Sequence, residues 1–245
     1  MKVDVVIDFY KALATLPHVV WGLQHNKDYI NTLIIVNDDL WDSEEKAKVE
    51  ELIAPLGVKT LLLDHPRKGF GSHRCTKQGI EAATTEYVAY INSDVVLQPR
   101  ALQIITEAAK TECIAYGTTH GVQWDIKVEE LSDAPIAKRD IRWKDDVFYP
   151  EVPDLRHYIG RDTFVCLHRP SYLTIGGHDL KYEGYGFIDY DLAIRWMMHF
   201  GIFSVEVFPA ISYHLDFGKT PHEWTDENEK RFAAMYRKFF EWIEM

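Results

Sequence analysis

The chain is poor in cysteine, poor in positive charge and free of long apolar runs, and each scarcity closes off a class of protein. Its three cysteines, Cys75, Cys113 and Cys166, are odd in number and far apart. That fits neither a disulfide framework nor a zinc site. Lysine and arginine number 27 against 38 aspartates and glutamates, a formal charge of −11. A nonspecific binder of polyanions would carry the opposite sign, so nucleic acid is a disfavoured partner. No stretch of about eighteen apolar residues exists, so no membrane span is expected. Asp4 breaks the apolar N-terminal run, so no signal peptide is expected either, and the cytoplasm is the expected compartment. There is no internal repeat and no low-complexity segment.

What the chain does have is apolar content of 47% over 245 residues, enough for the core of one large α/β domain. Its organising stretch is Tyr87-Val-Ala-Tyr-Ile-Asn-Ser-Asp-Val-Val-Leu-Gln-Pro99. Tyr87 to Ile91 has the length and composition of a buried strand. Asn92-Ser93-Asp94 ends it with oxygen-bearing side chains, and Pro99 opens a helix. Open α/β sheets place ligands at such strand ends, and Asp94 beside Asn92 suits a hard divalent cation shared with phosphate oxygens. The plainer reading is a turn with a helix cap.

The surrounding chain decides between these. Val3–Ile7 reads as a strand ending in Asp8-Phe9-Tyr10, followed by a helix over residues 11–24 that Pro17 complicates. Leu33–Val36 is a second strand ending in Asn37-Asp38-Asp39. Ser43 caps a helix running to about Leu56 and closed by Gly57. Thr60–Leu63 is a third strand, Gly69-Phe70-Gly71-Ser72 leads a helix to Ala83, and Arg100–Lys110 is a helix before a strand at Ile114–Gly117. The alternation predicts a parallel, Rossmann-like sheet. Two acid-tipped strand ends, at Asp38-Asp39 and Asn92-Asp94, define one crevice.

Beyond residue 117 the alternation fails. Residues 118–161 are polar, carry Pro135, Pro150 and Pro153, and are studded with Trp124, Trp143, Phe148, Tyr149 and Tyr158. They read as a long excursion over the crevice mouth. Then come a strand Phe164–Leu167, a short helix from Arg169-Pro170, a Gly176-Gly177-His178-Asp179 turn, and a helix opened by Asp189 and ended by Gly201. Strands follow at Phe203–Phe208 and Ile211–His214. The last is an amphipathic helix over 222–243, with Trp224, Phe232, Met235, Phe239 and Trp242 along a stripe that docks on the domain.

In this order the motifs resemble the GT-A glycosyltransferases, in particular the family 2-like enzymes and the galactosyltransferase C-terminal pattern. Leu23-Gln24 followed by Leu33 to Asp39 resembles the family opening "SL..Q…eiivvDDgS". Tyr87 to Pro99 resembles "yi.flDaDd.l.P". Gly176 to Asp179 and Gly186 to Arg195 resemble "GGfDe…GgEDvDlslR". The likeness covers most of residues 3–215. Asn92, Val95, Ile188 and Leu40-Trp41 depart from the pattern, which bears on metal affinity and donor preference. The resemblance implies a GT-A, mainly parallel mixed sheet with flanking helices in a single domain over 1–245. Residues 1–117 would form the nucleotide-sugar half, 118–221 the acceptor and catalytic half, and 222–245 the C-terminal helix.

It also implies transfer of a sugar from a nucleoside diphosphate donor, UDP by default, to an acceptor glycan or other hydroxyl-bearing molecule. A departing diphosphate needs positive charge on its oxygens. Asp94, with His214 from a later strand end, would hold Mn²⁺ or Mg²⁺, with Asn92 and Ser93 alongside. Arg74 and Lys77 would add charge at the phosphates. Phe9 and Tyr10 would line the base, and Asp38 or Asp39 would accept hydrogen bonds from base or ribose. An acceptor hydroxyl needs a carboxylate to take its proton. Asp189 is the expected general base, with inversion, and Asp191 would orient the acceptor or Arg195. Gly184 and Gly186 would let backbone approach the sugar; Trp124, Trp143, Tyr149 and Tyr185 would stack on it. The alternatives are a catalytically silent binding module on the same fold and a nucleotidyltransferase. Asp8-Phe9-Tyr10-Lys11 lacks the glycine-rich basic signature the latter wants.

Overall fold

The computed structural model describes residues 1–66, 71–123, 163–183, 186–201, 204–216 and 226–243. The strands are β1 (Val3–Phe9), β2 (Ile30–Asn37), β3 (Lys59–Asp64), β4 (Tyr87–Asn92), β5 (Val95–Leu97), β6 (Ala115–Gln123), β7 (Phe164–His168) and β8 (Val205–Asp216). The helices are α1 (Leu16–Gln24), α2 (Ser43–Ile53), α3 (Ser72–Ala82), α4 (Ala101–Ala108), α5 (Arg169–Thr174), α6 (Ile188–Phe200) and α7 (Asp226–Ile243). Of the expected excursion, residues 124–161 lie outside the described residues, as do Gly69-Phe70, Gly184-Tyr185, Phe203 and Trp224 and the side chains of Phe239 and Trp242.

The strands form one sheet in the order β3-β2-β1-β4-β7-β6-β8-β5. β1, β2, β3 and β4 are parallel, as the alternation predicts. β7 then enters antiparallel to both β4 and β6, and β5 antiparallel to β8. The sheet is therefore mixed: β3, β2, β1 and β4 form one parallel block, and β6 and β8 are a second parallel pair. Alternate residues of each central strand enter opposite cores. Val5, Ile7, Leu33, Ile35, Ala89 and Ile91 pack with α1, α2 and α4. Val6, Ile34, Val36, Val88 and Tyr90 pack with α3, α5 and α6. Burial on both faces explains why these strands read as apolar runs without alternation.

Only Ser93 and Asp94 separate β4 from β5, yet β5 lies at the far end of the strand order. The sheet must curl back on itself at that link. Leu215 N donates to Asp94 O at 2.9 Å, and Val95 pairs with His214. The stretch that organises the sequence is thus where the sheet turns.

Several boundaries differ from expectation for local reasons. α1 starts at Leu16 rather than residue 11, because Pro17 is tolerated only in a first turn and Lys11 has φ 51°. The cap of α2 is Asp42, not Ser43. The Asp42 carboxylate accepts from Glu44 N and Glu45 N at 2.9 and 3.1 Å. Pro99 precedes α4 by two residues, and Val95–Leu97 forms a strand between β4 and Pro99. β6 runs past Gly117 to Gln123, paired with β8, which is one continuous strand rather than two. Asp189 does not cap α6. The N-cap is Phe187, in the left-handed region at φ 63°, and Asp189 lies in the first turn. On α7, Phe232 is fully buried as the stripe predicts, whereas Met235 is 46% exposed.

Candidate functional site

At the C-terminal ends of β1, β2 and β4 three carboxylates converge. Asp8 is level with Asn92 on β4 and with Val36 on β2, two residues before Asp38. Asp8 is half-buried and its pKa is pushed up to about 7, first by burial, then by the charges of Asp94 and Asp38. The Ser93 amide donates to it and opposes the rise. Asp38 is buried, its amide donating to Phe9 O at 2.7 Å. Cys75 on α3 lies against it. Burial raises the thiol's pKa, and the Asp38 and Asp8 charges raise it further, so the sulfur stays protonated and donates to Asp38.

Asp94 faces His214 across the curl, with His214 Nε2 at 3.3 Å from Asp94 Oδ1. His214 is buried and Asp94 is partly open. Two ligands about 2.1 Å from one ion and at right angles lie about 3 Å apart, so the pair fits a shared divalent cation. A cation there would also offset the repulsion that lifts Asp8. Among the described residues no group of three or more His, Cys, Asp or Glu side chains is placed to hold a metal. The remaining ligands would have to come from a diphosphate or water.

The other expected donor residues divide. Tyr10 and Asp39 line a cavity of about 320 Å³ with Lys11, Asn37, Leu40, Asp42 and Glu45, beside the ends of β1 and β2. Asn37 is 1% exposed, and among the described residues its Nδ2 has no hydrogen-bond partner. Arg74 is in the first turn of α3. A Cβ built on Gly71 would sit 3.2 Å from Asp38 Oδ1 and 3.3 Å from Arg74 Cδ, which brings Arg74 to the carboxylate cluster.

Three assignments need correction. Phe9 is fully buried beneath Trp41, ring centroids 5.2 Å apart, and does not line the cavity that Tyr10 borders. Lys77 lies three residues beyond Arg74 on α3. Its Nζ donates to Gly176 O at 2.7 Å and pairs with Glu81 at 3.1 Å. It lines a separate cavity of about 350 Å³ with His178, Asp179 and Arg195. Asp191 is 0% exposed. Arg195 grips its Oδ2 through Nε at 2.8 Å and Nη2 at 2.5 Å, and Tyr236 donates to Oδ1 at 2.6 Å. It is paired with Arg195 and closed from solvent, so it is not open to an acceptor.

Asp189, two residues earlier, is partly exposed. Its charge raises the pKa of the buried Tyr116 phenol, after burial itself. Tyr116 is level with Val165 on β7 and through it with Tyr90 on β4, two residues short of Asn92. Asp189 thus lies within electrostatic range of Tyr116, whose ring packs in the core on the α3 side of the sheet. Ser93 is fixed by Thr15 Oγ1, which donates to its carbonyl at 2.7 Å, and the Asn92 amide donates to Thr163 O at 3.2 Å.

Asp8 had no assigned role in the sequence reading. Its signal was the same as that of Asp94, an acid at the C-terminal end of an apolar strand. Asn37 gave no signal apart from its neighbours Asp38-Asp39.

A curled mixed sheet between helices, with carboxylates at its parallel strand ends and a histidine returned across the curl, is the architecture of the GT-A glycosyltransferases. The chain belongs to glycosyl transferase family 2, whose model matches residues 4–166. No curated protein matches it in sequence. Among solved structures it is similar to GalNAc-T7 with UDP, GalNAc and Mn²⁺, at TM-score 0.65 and 12% identity over 96% of this chain and 48% of that one. It is also similar to the mannosyltransferase PcManGT from Pyrobaculum calidifontis in complex with GDP-Man and Mn²⁺, at TM-score 0.61 and 12% identity over 96% and 69%. The S. aureus TarS 1-349 structure in complex with UDP-GlcNAc gives TM-score 0.61 and 11% identity over 97% and 72%. The chain spans about half the length of the GalNAc-T7 structure.

Proposed function

We propose that the protein transfers a sugar from a nucleoside diphosphate sugar, a UDP-sugar by family likeness, to an acceptor hydroxyl, with a divalent cation and with inversion. The observation that carries this is Asp94 Oδ1 lying 3.3 Å from His214 Nε2 at the strand ends where Asp8 and Asp38 gather. Asp94 and His214 would hold Mn²⁺ or Mg²⁺, the imidazole favouring Mn²⁺. Bound there, the cation supplies positive charge to the departing diphosphate. The Mn²⁺ named with UDP and GalNAc for GalNAc-T7, and with GDP-Man for PcManGT, supports this reading.

Tyr10 and Asp39 would bound the base in the 320 Å³ cavity, Asp39 accepting from a ring N–H. Arg74 would approach the phosphates from the start of α3. Asp189 would take the acceptor proton from the face opposite the diphosphate, which requires inversion. The acceptor is a glycan or another molecule with a free hydroxyl.

The test is incubation with UDP- and GDP-sugars in Mn²⁺, Mg²⁺ or chelator, reading released nucleoside diphosphate by mass spectrometry. Cation-dependent turnover is expected, falling about 100-fold or more in Asp94→Ala and in Asp189→Asn. Donor binding without turnover in the intact protein would make it a silent module. Retained anomeric configuration of the product by NMR would remove Asp189 from the base role.

A further inference from the structure

The C-terminal helix does more than cover apolar surface. Its side chains reach both α6 and the segment that leads into it. Asn228 is 3% exposed and reads the backbone there. Its Nδ2 lies 2.9 Å from Glu183 O and 3.3 Å from Gly186 O, while Glu183 N donates to its Oδ1 at 3.2 Å. Arg231 Nη2 donates to Asp179 Oδ2 at 2.8 Å. Phe232 stacks on Phe187 with ring centroids 5.2 Å apart and on Tyr190 at 6.3 Å. Tyr236 donates to Asp191 at 2.6 Å, and Ala233 packs in the same apolar cluster.

The bonds surround a strained start. α6 has no side-chain cap, and its entry runs through Gly186 at φ 102° and Phe187 at φ 63°. A bulky residue in the left-handed region is strained and persists only where its surroundings impose it. α7 holds both residues of that entry, Gly186 through Asn228 and Phe187 through Phe232. Asp189 follows Phe187 by two residues, so the direction in which its carboxylate leaves the helix depends on that entry.

We infer that α7, chiefly through Asn228 and its hold on Glu183 and Gly186, positions Asp189 for proton removal. Asn228 is a positioning residue: it touches backbone and no reacting atom. This rests on the reading of Asp189 as general base.

The experiment compares Asn228→Asp, which keeps the side chain's size but turns its donor into a second acceptor, with Asn228→Ala and with Met235→Ala on the exposed side of α7. Donor hydrolysis by the full chain is followed across pH. The expected result for Asn228→Asp is kcat down about tenfold or more, donor KM within about twofold, and a shifted acid limb of the pH–rate profile. Asn228→Ala should show the same split, and Met235→Ala should match the parent. Active-site titration with the donor corrects for any misfolded fraction. An Asn228→Asp enzyme with parental kcat per active site and an unchanged pH profile would overturn the inference while leaving Asp189's role standing. A parent chain that hydrolyses no nucleotide sugar would instead remove the reading beneath it.

Discussion

Single residues of one type meet different fates here, and environment decides which. Asp4 looks in sequence like an interruption of the first strand. In the structure it is 1% exposed and clamps the turn before β4, accepting from Thr84 N at 2.6 Å, Thr85 N at 3.0 Å and Asn31 Nδ2 at 2.8 Å. Burial alone would raise its pKa, but these bonds outweigh it and hold the carboxyl below its ordinary 3.8. A folded pKa below the unfolded one adds stability above the unfolded value, and that stability is lost as pH falls through the folded one. Asp4→Asn should therefore cost about 1–3 kcal/mol at pH 7, with the gap to the parent closing below about pH 4, as urea denaturation across pH would show. Asp189 and Asp191 make the same point within one turn. Asp191→Asn leaves the Arg195 guanidinium poorly paired, and loss of one partner of a buried pair costs about 3–5 kcal/mol. Asp189, which is partly exposed, should lose less than Asp191 when it becomes Asn. Thermal melts of the two variants side by side would check this.

Elements are placed by close approaches that local propensity does not register. Gly22 lies in α1 where the helix crosses β5. A Cβ there would stand 2.7 Å from Leu97 N and 2.8 Å from Leu97 O. Alanine normally stabilises a helix interior over glycine by about 1 kcal/mol. Here the added methyl meets backbone that cannot rotate away, so Gly22→Ala should destabilise by about 1–3 kcal/mol. Because β5 begins directly after Asp94, the same change should also weaken Mn²⁺ binding, readable by calorimetry. The helix and strand order was legible because every central strand is apolar on both faces and every helix carries an apolar face. The limits of α1 and α6 were not legible. Pro17 and Phe187 set them through backbone dihedrals, which periodicity does not encode.

At the scale of the whole molecule, the curl of the sheet assembles the site from distant parts of the chain. Asp94 and His214 are 120 positions apart in sequence and 3.3 Å apart in space. No helix among the described residues is long and apolar enough to cross a membrane. A ligand that binds only the folded state raises its stability by about 2.7 kcal/mol at one hundred times Kd. Mn²⁺ with a nucleoside diphosphate should therefore raise the melting temperature by several degrees, reversibly with chelator. The rise should vanish in His214→Ala as well as in Asp94→Ala. A rise that survives in both would place the cation elsewhere.

Sequence alone determined the α/β alternation, the acid-tipped strand ends, the Asp94 and Asp189 motifs and the family they resemble, because each is written in consecutive residues. Tertiary structure decided which acids face the crevice and which are sealed. It joined Asp8 to Asp38 and Asp94, tied Lys77 to Gly176 instead of the phosphates, and closed Asp191 under Tyr236. It also gave α7 its hold on Glu183, Gly186 and Phe187. Those outcomes depend on sheet order and curl, where residues remote in the chain become neighbours and desolvation decides what each side chain can do.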